Sequence, residues 1–400
     1  MNILQVTNKV PYPSKDGGAI ACMNLTRGFA VLGHRVTVLS MNTVKHHTDI
    51  SEIPEAIRDW AEFRLVQVPA KIIFFKALYN FFFSKKPYNA IRFISDKFSK
   101  ELQKLLHEKQ FDIIQLEGLY VCPYIPLIRK YSDAKIVYRA HNIEYEIWER
   151  TAKLSNGFVK IYLKNLSHRI KKFEKRILNT YDLLVPITER DGKILTELGN
   201  KKPMHVSPTG IDTTSLIPHT KNLQHPSLFH IGSLDWAPNQ EGLIWFIERC
   251  WSDIHSRFPD LKFYIAGRNA PEWLIRKFVA PNIVYKGEVE DAYEFINSKS
   301  IMVVPLFSGS GMRIKIIEGM ALGKPIITTS IGTEGISTSS GTNILIANNE
   351  EEFIAAISEL IHDNEVYNQI SRNAIEYIHE KFDNLALSGA LSAFYKKHIE

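Results

Sequence analysis

Short runs of apolar or β-branched residues alternate along this chain with longer segments in which apolar positions recur every three or four residues. The first pattern fits strands buried on both faces, and the second fits amphipathic helices laid over them. The pattern predicts strands at Ile3–Thr7, Val36–Ser40, Phe63–Val68, Asp112–Leu116, Lys135–Arg139, Leu183–Ile187 and Met204–Val206. Gly33 follows the periodic run Ala19–Leu32, where a glycine closes a helix. Between Pro208 and Pro226 periodicity stops and Pro, Thr, Gly and Asn accumulate, which predicts an interdomain linker. The alternation then restarts at Leu228–Ile231, Leu261–Ala266, Ile283–Lys286, Ile301–Pro305, Pro325–Thr329 and Ile344–Ile346. From Glu350 onward the chain reads as helix.

Strands joined by helices, twice over, predict an α/β protein built from two Rossmann-like domains facing across a cleft. The expected division is an N-terminal domain at 1–208, a linker at 209–226 and a C-terminal domain at 227–380. A last helix, 381–400, is expected to pack back on the N-terminal domain. In such sheets a ligand lies at the carboxyl ends of the strands, where the strand order reverses.

Composition narrows the class. At 400 residues, 45% hydrophobic and 23% charged, the chain is ordinary globular protein, which excludes disordered and low-complexity classes. Its three cysteines, Cys22, Cys122 and Cys250, lie far apart, against a disulfide scaffold or cysteine zinc site and in keeping with a reducing compartment. The opening run Met1–Asn8 reads as a first strand and not as a leader, and no uninterrupted apolar stretch of about 18 residues exists.

The segment Val304 to Pro325 carries the most chemistry. A strand ends at Pro305, a small-residue loop follows (Ser308, Gly309, Ser310, Gly311), and a helix is expected from about Met312. Glycines after a strand let backbone N–H groups approach a phosphate, and the helix start adds partial positive charge. Lys315 and Glu318 share a helix face, so one can hold phosphate while the other accepts from sugar hydroxyls; a turn and a surface ion pair are the alternatives. Gly319-Met-Ala-Leu-Gly-Lys-Pro325 fails as a P-loop, and Ile314 stands where a dinucleotide fingerprint needs its third glycine. ATPase and dehydrogenase readings are unsupported. The chain has no Asp-x-Asp, no H-x-x-x-H and no cysteine cluster, so no catalytic metal or other cofactor is expected.

This segment, with Ile331-Gly-Thr-Glu-Gly335, resembles the donor-binding region of the GT4 family of glycosyltransferases, which have the GT-B fold. The resemblance extends to Asn8-x-x-Pro11 with Gly17-Gly18, Arg139-Ala-His-Asn-Ile-Glu144 and Pro208-Thr-Gly-Ile-Asp212. It continues through Gly232-Ser-Leu-Asp-Trp-Ala-Pro-Asn239 and Ile265-Ala-Gly-Arg268, seven motifs in order.

The likeness implies a metal-independent hexosyl- or other glycosyltransferase, retaining anomeric configuration, that moves a sugar from a nucleotide diphosphate-sugar to a hydroxyl acceptor. The leaving diphosphate would help deprotonate the acceptor. Glu318 is implied at the nucleotide ribose, with Gly232, Gly309, Ser310, Gly311 and Met312 at the sugar and diphosphate. The family's first glutamate would fall at Ser310, so that carboxylate is missing. The loop Gly232–Asn239 lacks the usual Arg and Lys, leaving Arg313 and Lys315 to neutralise the diphosphate. His141 is implied near the reacting carbon, and Gly17 and Gly18 beside phosphate and acceptor; Glu117, from its place at the end of another strand, is expected to orient an acceptor hydroxyl. A nucleotide-sugar epimerase and a non-catalytic saccharide-binding protein are the alternatives on this fold.

Two stretches are strongly basic. Residues 71–100 hold seven Lys/Arg against Asp96, interleaved with Phe74, Phe75, Tyr79, Phe81, Phe82 and Phe83; residues 153–176 hold eight against Glu174. Basic residues among aromatics suit an anionic membrane surface, where a lipid-linked saccharide acceptor would be presented. The alternative is that the aromatics are core and the lysines a solvated face. Neither stretch forms a nucleic-acid-binding module. The expectation is a cytoplasmic enzyme, peripheral on the inner face of the cell membrane, in surface polysaccharide or glycolipid assembly.

Overall fold

The structure, a computed structural model, describes residues 1–309 and 311–399, the side chain of Leu154 excepted. Ser310 lies outside the described residues. The chain divides into two units, one formed by Met1–Gly210 with Asn384–Glu400 and the other by Ile211–Asp383.

The first unit is a parallel sheet of β1 (Asn2–Thr7), β2 (Arg35–Asn42), β3 (Glu62–Gln67), β4 (Ile113–Glu117), β5 (Lys135–Ala140) and β6 (Leu183–Pro186), in the order β3-β2-β1-β4-β5-β6. Successive strand residues serve opposite faces. Leu4, Leu39, Ile114 and Ile136 join one apolar cluster, whereas Ile3, Val38, Ile113 and Val137 join another. Helices must therefore cover both faces, which is why the strands read as unbroken apolar runs. The run Met204–Val206 makes only an isolated bridge, Leu184 to Met204, instead of the expected strand. The segment bonds to β6 through Pro203 O, His205 N–H and Ser207 N–H, but Pro186 in β6 has no N–H to return to His205 O, and Pro203 has none to extend the pairing backward.

The last helix, Asn384–Ile399, packs on the helix Gly17–Val31. A Cβ at Gly28 would come within 2.0 Å of the Ser388 Oγ, so glycine is what allows that approach. The Tyr395 hydroxyl reaches through to Gln115 Oε1 at 2.6 Å, tying the chain's end to the middle of β4.

The second unit repeats the plan with β7 (Gln224–Ile231), β8 (Phe263–Ala266), β9 (Ile283–Gly287), β10 (Lys299–Val304), β11 (Ile326–Thr328) and β12 (Leu345–Ile346), ordered β12-β11-β10-β7-β8-β9. Most of the Thr209–Pro226 stretch belongs to this unit and is tied into it. Ile211 N–H donates to Phe382 O at 2.9 Å, and Asn297 Oδ1 accepts from His219 N–H at 3.2 Å. In both sheets the strand order reverses once, between β1 and β4 and between β7 and β10. Those are the two places where loops at the carboxyl ends diverge and leave room for a ligand.

Candidate active site

In the first unit a cavity of about 770 Å³ opens at the β1/β4 reversal, with Thr7, Asn8, Lys9, Gly18, Glu117 and His141 in its wall. Asp16 caps the helix Gly17–Val31 by accepting from Ala19 N–H at 3.0 Å. Its carboxylate also meets Lys9 Nζ at 2.5 and 2.6 Å. Burial would raise the Asp16 pKa, but Lys9 holds it below the usual range. Gly18 lines the cavity directly, and Gly17 is the first residue of the helix.

Glu117 ends β4, and its buried carboxylate is shared among three neighbours. Gln115 Nε2 donates to Oε1, Arg139 Nη1 donates to Oε2 at 3.3 Å, and His141 Nε2 stands 2.5 Å from Oε2. Burial favours the neutral acid, yet the Arg139 guanidinium, itself 1% exposed, and the His141 hydrogen bond pull the pKa down to about 2. An ionised carboxylate can only accept, so the His141 proton sits on Nε2. Glu117 thus fixes the ring and tautomer of His141.

The second site lies at the end of β7, beside the helix Ile314–Ala321 that follows β10. The helix starts two residues later than Met312, because Arg313 takes a non-helical backbone. Lys315 sends Nζ to Asn239 Oδ1 at 2.7 Å and to His230 Nε2 at 3.3 Å, and no ion pair with Glu318 forms between them. His230 is fully buried in β7 and donates from Nδ1 to Val303 O at 2.9 Å. Burial and the Lys315 charge drive its pKa well below the usual value, so Nε2 is a lone-pair acceptor for the ammonium. Burial, and then Arg313, bring Lys315 down to about 7. The missing side chain of Gly232 makes this possible, since a Cβ there would stand 3.0 Å from Asn239 Nδ2 and 3.1 Å from Lys315 Nζ.

The loop before the helix has Gly309 and Gly311 at φ of 99° and 80°, the region that favours glycine. Arg313 is buried over the Trp236 ring at 5.3 Å and donates from Nη1 to Gly311 O at 2.5 Å. A Cβ on Gly309 would come within 2.9 Å of Trp236. Met312 is half-buried between this loop and the helix. Glu318 accepts from the Tyr293 hydroxyl at 3.1 Å, and burial raises its carboxyl to about 7.

A sequence model of Glycosyltransferase Family 4 matches residues 15–215, half of the chain. The chain belongs to that family. Residues 225–363 also match the model of glycosyl transferases group 1, so this glycosyltransferase is a sugar-transferring enzyme along both units. A protein in the cps region of Klebsiella pneumoniae is 24% identical over 395 residues, 96% of each chain. Among solved structures, Thermosynechococcus elongatus sucrose-phosphate synthase has a TM-score of 0.74 at 14% identity, covering 99% of both chains. Anabaena HepE in complex with UDP has a TM-score of 0.70 at 13% identity, covering 99% of this chain and 100% of HepE. At such identities they establish the GT-B fold.

Of the residues expected in this glycosyltransferase's site, Gly18, Glu117 and His141 meet in the first unit's cavity. In the second unit Gly232 and Lys315 meet, while Gly309, Gly311 and Arg313 form one loop corner and Glu318 pairs with Tyr293. Sequence reasoning missed Lys9, Asp16, Arg139, His230 and Tyr293 as parts of these clusters, and gave Asn239 no role. The available signal was polarity out of place: His230 and Arg139 sit inside runs that otherwise read as buried strand. Among the described residues no group of three or more His, Cys, Asp or Glu could hold a metal ion, and no helix is long and apolar enough to cross a membrane.

Proposed function

We propose that this glycosyltransferase takes a sugar from a nucleotide diphosphate-sugar held by the second unit and delivers it to a saccharide hydroxyl held by the first. The observation that carries the reading is the Lys315–Asn239–His230 cluster beside side-chain-free Gly232, at the strand-order reversal. A half-buried ammonium with only neutral partners, next to Arg313 and a helix start, suits a diphosphate leaving group. The same cationic groups would do the work that a metal ion does elsewhere, so the proposed reaction uses neither metal nor other cofactor. The UDP complex of HepE supports a nucleotide donor.

Glu318 is proposed to accept from the ribose, releasing Tyr293 or sharing it. The turn around Lys286–Glu290 would meet the base. His141, locked by Glu117, is proposed to act at the sugar under transfer, donating no proton to solvent while Nε2 is held. With Glu117 engaged by three neighbours, deprotonation of the acceptor falls to the departing diphosphate on the same face, the route that retains configuration. The cps-region relative supports a place in surface polysaccharide or glycolipid assembly, and the three free, buried cysteines support a reducing, cytoplasmic setting.

The test is turnover of a nucleotide-sugar panel with saccharide acceptors in chelator. Nucleoside diphosphate release matched to product, whose proton spectrum has the donor's anomeric coupling, is the expected result. Inverted coupling, or activity abolished by chelator, would overturn those parts of the reading.

A further inference from the structure

Parts of the two basic stretches, far apart in sequence, meet in the first unit, where the helix Phe74–Phe83 packs on the helix Gly157–Ile177. The helix Phe74–Phe83 is built inside out: Asn80 is its one buried residue, while Phe75 is 79% exposed and Phe83 74% exposed. Beside it stands the start of the helix Gly157–Ile177, with Phe158 and Ile161 exposed. Phe81 bridges the two, its ring 5.9 Å from Phe158 and 5.6 Å from Tyr162.

A polar anchor sets this orientation. Buried Arg169 donates from Nη1 to Asn80 O at 2.9 Å, to Asn80 Oδ1 at 3.0 Å and to Ser84 O at 2.9 Å. Asn80 Nδ2 donates in turn to Lys86 O at 3.1 Å. Rolling the helix to bury its phenylalanines would strand a guanidinium in the interior, so the aromatics stay out. The reading of these aromatics as core therefore fails. Contiguous exposed apolar surface on this scale marks an interaction site.

We infer that this face docks on an anionic phospholipid bilayer. Exposed Lys71, Lys76, Lys85 and Lys86 lie in and on either side of the aromatic helix, and residues 71–86 contain no acid. A second copy would bring lysines against lysines, whereas anionic headgroups complement them. Phenylalanines enter the acyl boundary while lysines meet phosphates. The face also runs into the cavity that holds Glu117 and His141, because Ala70, Lys71 and Ile72 line it. Resting on the proposed acceptor role of that cavity, this continuity makes the acceptor a saccharide carried on a membrane lipid.

The experiment is sedimentation of the full chain with vesicles of equal phosphatidylglycerol and phosphatidylcholine, and with phosphatidylcholine alone. Binding to the anionic vesicles is expected, reduced at least five-fold in F75S/F83S and in K85E/K86E, and weak on the neutral ones. The variants should keep wild-type calorimetric affinity for nucleoside diphosphate, which separates docking from the donor reading. Absent binding, binding untouched by both variants, or a dimer that F75S/F83S dissolves would each overturn the inference.

Discussion

Lys315 Nζ lies 3.3 Å from His230 Nε2, and the imidazole can receive it only as an acceptor, because Nδ1 is committed to Val303 O. A lysine that burial brings down to about 7 therefore rests against an imidazole whose own burial disfavours its cation.

From this follows a proton linkage to donor binding. A bound diphosphate restores a full charge on Lys315, so the complex holds more protons than the free enzyme as pH rises above about 7. Affinity for nucleoside diphosphate should then fall as pH rises from 7 to 9, by at most tenfold per unit. Calorimetry in buffers of different ionisation enthalpy should register proton uptake at pH 8, lost in Lys315→Met. Equal uptake in that variant would remove Lys315 from the diphosphate site.

Glu117 should matter to stability and His141 to turnover. Glu117→Gln leaves buried Arg139 without its counter-charge, which costs on the order of 3–5 kcal/mol in urea unfolding. His141→Ala leaves the Glu117–Arg139 pair intact, so it should unfold nearly as wild type while kcat falls more than donor affinity. A His141→Ala enzyme with full kcat would retire the histidine.

Glu318→Ala should weaken nucleoside diphosphate binding by about 1–3 kcal/mol, the cost of removing a buried hydrogen-bonding partner. Tyr293→Phe, which only frees the carboxylate from its present donor, should cost less or nothing. If Glu318→Ala binds as wild type does, the ribose contact is elsewhere.

Buried Glu174 accepts from the backbone N–H of Glu144 and Tyr145 at 3.1 and 3.4 Å. Burial, aided by the Glu144 charge, raises its carboxyl to about 8. The folded state therefore holds a proton that the unfolded chain releases near the ordinary carboxylate pKa. The stability this contributes is complete below that value and is lost as pH rises toward 8, with a slope of at most about 1.4 kcal/mol per unit. Thermal unfolding between pH 6 and 8 should slope downward less steeply in Glu174→Gln than in the wild type, with neighbouring Glu144, raised to about 7 by burial, keeping part of the slope; identical slopes would contradict the assignment.

The strands were legible because sheets covered on both faces write themselves as apolar runs, and Ile3–Thr7 or Ile301–Pro305 can hardly be anything else. Met204–Val206 misled because a three-residue run says nothing about the prolines' missing donors. In the site, Lys315 was legible from its place after a glycine loop, but its partners His230 and Asn239 lie 85 and 76 positions away, and no local pattern pairs them. The direction of the aromatic helix was equally hidden. Periodicity gives a face without saying which way it turns, and here an arginine 89 residues downstream of Asn80 decides it.

The most direct test of the account is calorimetric binding of UDP, GDP, ADP and their sugars with chelator present. Clear preference for one diphosphate, retained in chelator and weakened by Glu318→Ala and Lys315→Met, is the predicted result. No binding of any, or binding indifferent to both substitutions, would contradict a donor site built on Gly232, Lys315 and Glu318.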